Sequence, residues 1–286
     1  MTNTTGIIMG VGAPNLCRDG RKTMCAIILS EELGLIRVYP IPANAAFPVW
    51  GQVNLTLTKS NSDPRHESYK LESFEVVGCI VKSDQKREIL NRCIIKSGTL
   101  DPLDYCNQNK SSIALVKIKG GTAGGALDRR ALKDAPPSPD EEQPWIQTQA
   151  DAWVKPLLKW TSDQDGSHNT HLVGREVYMG ISKNPTAPFN IFNNMQTCNP
   201  DFEHWLLLGN IKSRRNVFVG VHLHRLKKQI GGSTLPFLEI QDGRSADWPY
   251  SKQEALNVPT VDDQLLLFTT PDTTSVNSHG NIAMTA

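Results

Sequence analysis

The sequence predicts a strand-dominated α+β fold, with an N-terminal curved sheet or small barrel under a covering helix and a second, mixed half. Three observations carry that expectation. Short apolar runs recur through residues 1–119 with turn residues between them. Within that region a single stretch, from Asp84 to about Lys96, has helical spacing, with Ile89, Leu90, Cys93 and Ile94 on one face and Ser83 or Asp84 as its cap. A Gly/Pro-rich segment, 120–150, then separates this region from the second half of the chain.

Taken in order, strands are expected at 6–10, 24–30, 34–39, 52–58, 74–82 and 112–119. The run Gln52 to Thr58 alternates apolar and polar residues, the pattern of a strand buried on one face. Gly120-Gly121-Thr122-Ala123-Gly124-Gly125 and the Pro136–Pro139 cluster read as a linker with little to bury. The mixed half, 151–268, combines strands with short helical pieces at 153–160, 175–181, 205–208, 217–226 and 237–240. Residues 269–286 are Thr, Ser, Asn and Gly rich and read as a mobile tail.

Composition limits the function classes. A formal net charge of +1 over 286 residues excludes a globally basic surface, so nucleic-acid contact has to come from a local patch. The six cysteines include no CxxC pair and are read as reduced thiols of a cytoplasmic protein. Residues 1–6 lack a basic leader, and no apolar run approaches the length that crosses a bilayer, so neither secretion nor a membrane location is expected.

The densest chemistry lies in Asn61-Ser62-Asp63-Pro64-Arg65-His66-Glu67-Ser68, directly after the alternating strand. If that segment stays extended, Asp63, Arg65 and Glu67 share a side, where the arginine can hold an anion and a carboxylate can move a proton. An Asx turn at Asp63-Pro64 with a surface ion pair is the competing reading. Further along, His171 precedes Arg175-Glu176, so His171 and Glu176 are candidates for a proton relay.

Between His204 and Leu238 there is no acid, yet Lys212, Arg214, Arg215, Arg225, Lys227 and Lys228 all fall there. A hairpin would put the first three at its turn and the last three at the far end of its arms, an arrangement able to track phosphates, with Asn210 beside it. A solvated hairpin kept soluble by its charges is the alternative. Strict alternation over 217–224 puts Phe218, Gly220, His222 and His224 on one face, where the histidines could ligate a metal of a nuclease. No cofactor is expected, and there is neither a phosphate-loop lysine nor a Gly-x-Ser-x-Gly elbow.

Thr23-Met24-Cys25-Ala26, Leu35-Ile36-Arg37-Val38-Tyr39-Pro40 and Asp63-Pro64-Arg65-His66-Glu67-Ser68-Tyr69 resemble, in that order, a bacterial and mobile-element family of largely unassigned function with R-x-Y-P and D-x-R-x-E-S motifs. The likeness extends to Ser111–Lys117, His171 with Arg175-Glu176, and Leu208-Gly209-Asn210, and departs from the family where a proline is expected after Lys117 and a cysteine pair before His171. The resemblance implies a phage-defence setting and an enzyme related to DNA glycosylases, excising a modified base through Asp63, Arg65 and Glu67 with help from His171 and Glu176. Tyr39, Trp50 and Tyr69 would line the base pocket. DNA is the expected partner, with a protein partner as an addition. A non-catalytic DNA- or protein-binding factor of defence or counter-defence uses the same surfaces without turnover.

Overall fold

The computed structural model describes residues 1–17, 20–128, 155–183 and 187–229. The first strands are β1 (Thr2–Val11), β2 (Asn15–Leu16), β3 (Lys22–Ser30), β4 (Gly34–Pro42), β5 (Gly51–Lys59) and β6 (Ser68–Cys79). Their neighbours run β1-β5-β6-β4-β3, and β3 pairs back to β1, so the sheet closes on itself with β2 as a short extension. Every pair is antiparallel except β4 with β6. Counting barrel strands alone, the second lies between the first and third, and the third meets the fifth in parallel. That is the Greek-key order of the oligonucleotide/oligosaccharide-binding (OB) barrel.

The second half repeats this order. After α1 (Ser83–Cys93) and α2 (Pro102–Gln108) come β7 (Ile113–Lys117), β8 (Gly124–Asp128), β9 (Lys155–Thr161), β10 (Ser167–His171), α3 (Arg175–Lys183), α4 (Asn190–Asn194), β11 (Phe202–Ile211) and β12 (Arg214–Lys227). One sheet runs β12-β11-β7 and the other β10-β9-β8. Single bridges join them, Ile118 to Ser162 antiparallel and Leu172 to Gly220 parallel. With β7, β9, β10, β11 and β12 as its five strands, this barrel also sets its third strand parallel to its fifth, and α3 and α4 sit between the third and fourth.

Residue alternation divides the apolar side chains into three cores. Ile8, Met24, Ala26, Ile28, Ile36, Val38, Val53, Leu55 and Leu57 fill the first barrel. Ala114, Val116, Leu158, Trp160, Leu172, Leu206, Leu208 and Phe218 fill the second. The outward-facing residues between them, Ile7, Met9 and Ile27 from the first barrel and Ile113, Leu115, Trp205, Leu207 and Val221 from the second, form a seam that Ile89 and Leu90 of α1 close. Strands β1, β3, β7 and β11 therefore read as continuous apolar runs because both of their faces are buried. The seam is close-packed: a side chain at Gly10 would place its Cβ 2.8 Å from Leu207 Cδ2 and 2.9 Å from the His222 Cβ.

The structure revises several sequence expectations. Strand β7, grouped by sequence with the N-terminal region, pairs with β11 and is the first strand of the second barrel. Gly124 and Gly125, read as linker, belong to β8 and pair with Lys159 and Leu158. The cap of α1 is Lys82, without a side-chain cap bond, in place of Ser83 or Asp84. Helix α2, capped by Asp101 accepting from the Leu103 N–H at 2.9 Å, had no sequence expectation. Residues 175–181 are helical. Most of the expected linker, Trp153, the 237–240 segment and the 269–286 tail lie outside the described residues. Among the described residues no helix is long and apolar enough to cross a membrane.

A close-packed seam should make the two barrels one cooperative unit. Leu207→Ala should cost about 3 kcal/mol by opening a cavity in it, and urea unfolding should still show a single transition. Two separated transitions would show that the seam does not couple the barrels.

Candidate nucleic-acid interface

The loop between β5 and β6, residues 60–67, is not extended. Asp63-Pro64 starts a turn in which Asp63 Oδ1 accepts the Arg65 backbone N–H at 3.1 Å and its Nε–H at 2.9 Å, while Oδ2 pairs with Nη2. The guanidinium is thereby aimed across the seam, where Nη1 donates to the Asn210 carbonyl at 3.0 Å and lies 3.4 Å from Asn210 Oδ1. Glu67 also crosses: Oε1 accepts from Ser112 N–H at 2.9 Å and Oε2 from the Ser112 hydroxyl at 2.8 Å. Buried Arg37 of β4 donates to the Ser112 carbonyl at 2.9 Å. Three charged side chains of the first barrel thus hold the start of β7 and the end of β11.

Beside this network lies the turn that joins β11 to β12. Asn210 Nδ2 donates to the Arg215 carbonyl at 2.9 Å, and Lys212 Nζ donates to the Ser62 carbonyl at 2.7 Å. The hairpin turn of the second barrel therefore touches the corresponding loop of the first. Lys212, Arg214 and Arg215 are exposed here, as are Lys59, which donates to the His66 carbonyl, and His66 itself. The acids of the same loop face inward: side-chain exposure is 13% for Asp63 and 10% for Glu67. Burial acts to raise the Asp63 pKa, but the hydrogen bonds and charge of Arg65 outweigh it and hold the carboxyl at about 2. The charge left facing solvent is cationic.

The far end of the hairpin differs. Arg225 donates to the Asn194 carbonyl and lies over the Phe202 ring with its Cζ 5.5 Å from the centroid. Lys227 and Lys228 are exposed beside α1, where Arg87 pairs with Glu203 and donates to the Lys227 carbonyl. The two cationic groups sit at opposite ends of β12, as the sequence implies, and Glu203 and Asp84 temper the second one.

His171 and Glu176 have different partners. His171 Nε2 lies 3.1 Å from Asp128 Oδ2, on the outer side of the second barrel. Glu176, in α3, lies in the seam with Oε2 in a long pair 3.4 Å from His222 Nδ1. Burial works to raise the Glu176 pKa, and neighbouring His222 and Arg175 bring it below the usual value. His222 stacks against His224 with centroids 4.5 Å apart, and His224 against Trp50 at 4.9 Å. Val221 is the extra residue of a bulge, with Leu207 opposite His222 and Leu208 opposite Gly220. That bulge overturns the expected single face: Phe218 enters the second barrel's core, while His222 and His224 turn to the seam. Among the described residues no group of three or more His, Cys, Asp or Glu side chains is placed to hold a metal ion.

The expected base-pocket aromatics occupy three separate places. Tyr39 is exposed, its hydroxyl 3.2 Å from Thr23 Oγ1 and 3.4 Å from Cys17 Sγ. Trp50 is in the seam, and Tyr69 packs on the first barrel's core with Lys59 Nζ 4.3 Å from its ring centroid. Arg37 and Ser112 are the network members that the sequence reading placed in family-like motifs but gave no site role. The available signal was a lone charge inside the apolar run Leu35-Ile36-Arg37-Val38.

Residues 3–94, spanning the first barrel and α1, match the model of a "Domain of unknown function (DUF8758)". No curated protein matches the sequence. A solved structure described as "Structure of murine DNA binding protein bound with ds DNA" is similar at a TM-score of 0.27 and 10% identity, covering 82% of this chain and 100% of that one. So loose a superposition carries no argument about function.

Two buried or paired groups make stability depend on pH. Burial, with His222 and Lys86 nearby, pushes the His224 pKa well below 6.5. The unfolded chain therefore binds the extra proton first, and stability should fall as pH drops below about 6.5. His224→Phe should flatten that part of a urea-stability profile; an unchanged profile would remove His224 as its source. The depressed Asp63 pKa acts lower, its contribution being present above about pH 4 and lost toward pH 2.

Proposed function

We propose that the protein binds nucleic acid along the edge where loop 60–67 of the first barrel meets the β11–β12 turn of the second. The observation that supports it is the separation of charge. Asp63 and Glu67 are spent on inward contacts, and Lys59, Lys212, Arg214 and Arg215 with His66 are left outward. In OB barrels the loop between the fourth and fifth strands is one of those that reach oligonucleotides, and here the two such loops touch. An edge of flexible cations with no exposed aromatic among them suits phosphates, not base edges.

Fluorescence anisotropy with labelled single- and double-stranded DNA over a salt series tests this. Lys212→Ala/Arg214→Ala/Arg215→Ala should weaken binding and reduce the log–log salt slope by about 2 to 3, as expected for losing two or three phosphate contacts. An unchanged slope would take the turn out of the interface.

A second reading, excision of a modified base to leave an abasic site in a phage-defence setting, is favoured by one observation. The Glu176 carboxylate is buried beside His222, whose Nδ1 is 3.4 Å from Oε2. A carboxylate so placed can stabilise a cationic sugar or activate water. Asp63 and Glu67 are engaged in the seam, so Glu176 with His222 would carry the chemistry and His171 would stand aside. Mass spectrometry of modified DNA incubated with the protein should then find free base, lost with Glu176→Gln and kept with His171→Gln. Intact DNA across a panel of modifications would leave binding without catalysis.

A further inference from the structure

We infer that Asp63, Arg65 and Asn210 form a positioning relay that sets the cationic β11–β12 turn in register with loop 60–67, so that both loops meet a phosphate backbone as one rigid edge. The inference rests on the proposed nucleic-acid reading and deepens it. These residues touch no phosphate themselves; they act through the turn.

The chain of contacts has a direction. Asp63 takes the Arg65 backbone N–H and the Nε/Nη2 edge of its guanidinium, which fixes the planar group and leaves Nη1 pointing to Asn210. Arg65 Nη1 is a pure donor, so it holds the Asn210 amide with its oxygen toward the guanidinium, 3.4 Å away. That orientation turns Nδ2 the other way, where it donates to the Arg215 carbonyl at 2.9 Å. Lys212 Nζ on the Ser62 carbonyl closes the ring from the opposite side. Arg65 is only 9% exposed, so its charge is spent on this geometry and is not available to a ligand.

The relay makes a prediction opposite in sign to simple electrostatics. Removing a carboxylate from a cationic edge should tighten DNA binding if charge alone matters. If the relay matters, Asp63→Asn loosens Arg65, the turn must be ordered at the moment of binding, and affinity falls. We expect Asp63→Asn and Asn210→Ala each to weaken DNA binding about tenfold with the salt slope unchanged, since no phosphate contact is removed. The double variant should be no weaker than either single one, because both break the same chain. Arg214→Ala should instead lower the slope by about 1. Ile27→Val, a seam change remote from the relay, should lower stability and leave affinity alone. Equal or tighter binding by Asp63→Asn, or additive losses, would overturn the relay.

Hydrogen–deuterium exchange on the free protein judges the relay separately. Asp63→Asn should speed amide exchange across residues 210–218 by about tenfold without speeding it in the first barrel's core. If wild type fails to bind DNA while this local loosening is seen, the nucleic-acid reading fails and the coupling of the two loops stands. If the turn exchanges no faster in the variant, the coupling itself is gone.

Discussion

The constraint on which this molecule depends is the burial of one barrel's outer face against another's. A five-stranded barrel normally hides its interior and shows water its outside. Here β1, β3 and β4 on one side and β7, β11 and β12 on the other hide both, and Trp205 and Leu207 have no exposed surface at all. Burying apolar side chains contributes about 25 cal/mol per Å², so this third core rivals the two barrel interiors in kind. It also creates an obligation, because any polar group at the edge of an apolar seam must find a partner there. Ser112, Asn210 and the carbonyls beside them find theirs in Glu67, Arg65 and Arg37, and the charged loop is the polar border of the apolar seam.

That dependence explains what was legible in the sequence. The strands of the first barrel, the placement of α1 and the location of the two cationic groups at the ends of a hairpin all follow from local pattern. The second barrel did not, because the 120–150 segment separates its first strand from its second, α3 and α4 separate its third from its fourth, and its closure relies on the bridges Ile118 to Ser162 and Leu172 to Gly220. The repeat is one of strand order, which leaves no periodic signature in side chains that serve a barrel core at one position and a seam at the next. The bulge at Val221 shows the limit most plainly. One extra residue moves His222 and His224 from the face shared with Phe218 to the opposite one, and nothing in an alternating run of valines marks where the count slips.

The candidate site teaches a related point about charged motifs. A dense group of acid, arginine and histidine after a strand looks catalytic because such groups are costly to maintain. Asp63, Arg65 and Glu67 meet that description, but each is committed to a fixed partner, Asp63 to Arg65 within the loop and Arg65 and Glu67 to Asn210 and Ser112 across the seam. Buried polar atoms without a close hydrogen-bond partner occur in the network itself, at Arg37 Nε, and also on His224 and the indole nitrogen of Trp205, with Glu176 held by the 3.4 Å pair to His222. Trp205 is directly opposite His224 in the β11–β12 ladder, and His224 stacks on Trp50, so these groups share one stretch of the seam. If the protein carries chemistry, the under-satisfied set, not the conspicuous motif, is where physical cost is still uncompensated.

Covering one barrel with another also decides which surfaces remain for a ligand. The face formed by the second and third strands is a usual ligand platform of the OB barrel, and in the first barrel those strands are β3 and β4, whose outward residues Ile27, Leu35 and Arg37 are committed to the seam. On the proposed nucleic-acid reading contact would shift to loops, which are free to move unless something holds them. The seam supplies that restraint: its polar border pins loop 60–67 and the β11–β12 turn to each other, so two loops from different barrels behave as a single rigid feature. On the proposed nucleic-acid reading, the same burial that covers the usual OB face of one barrel preorganises the edge that would replace it.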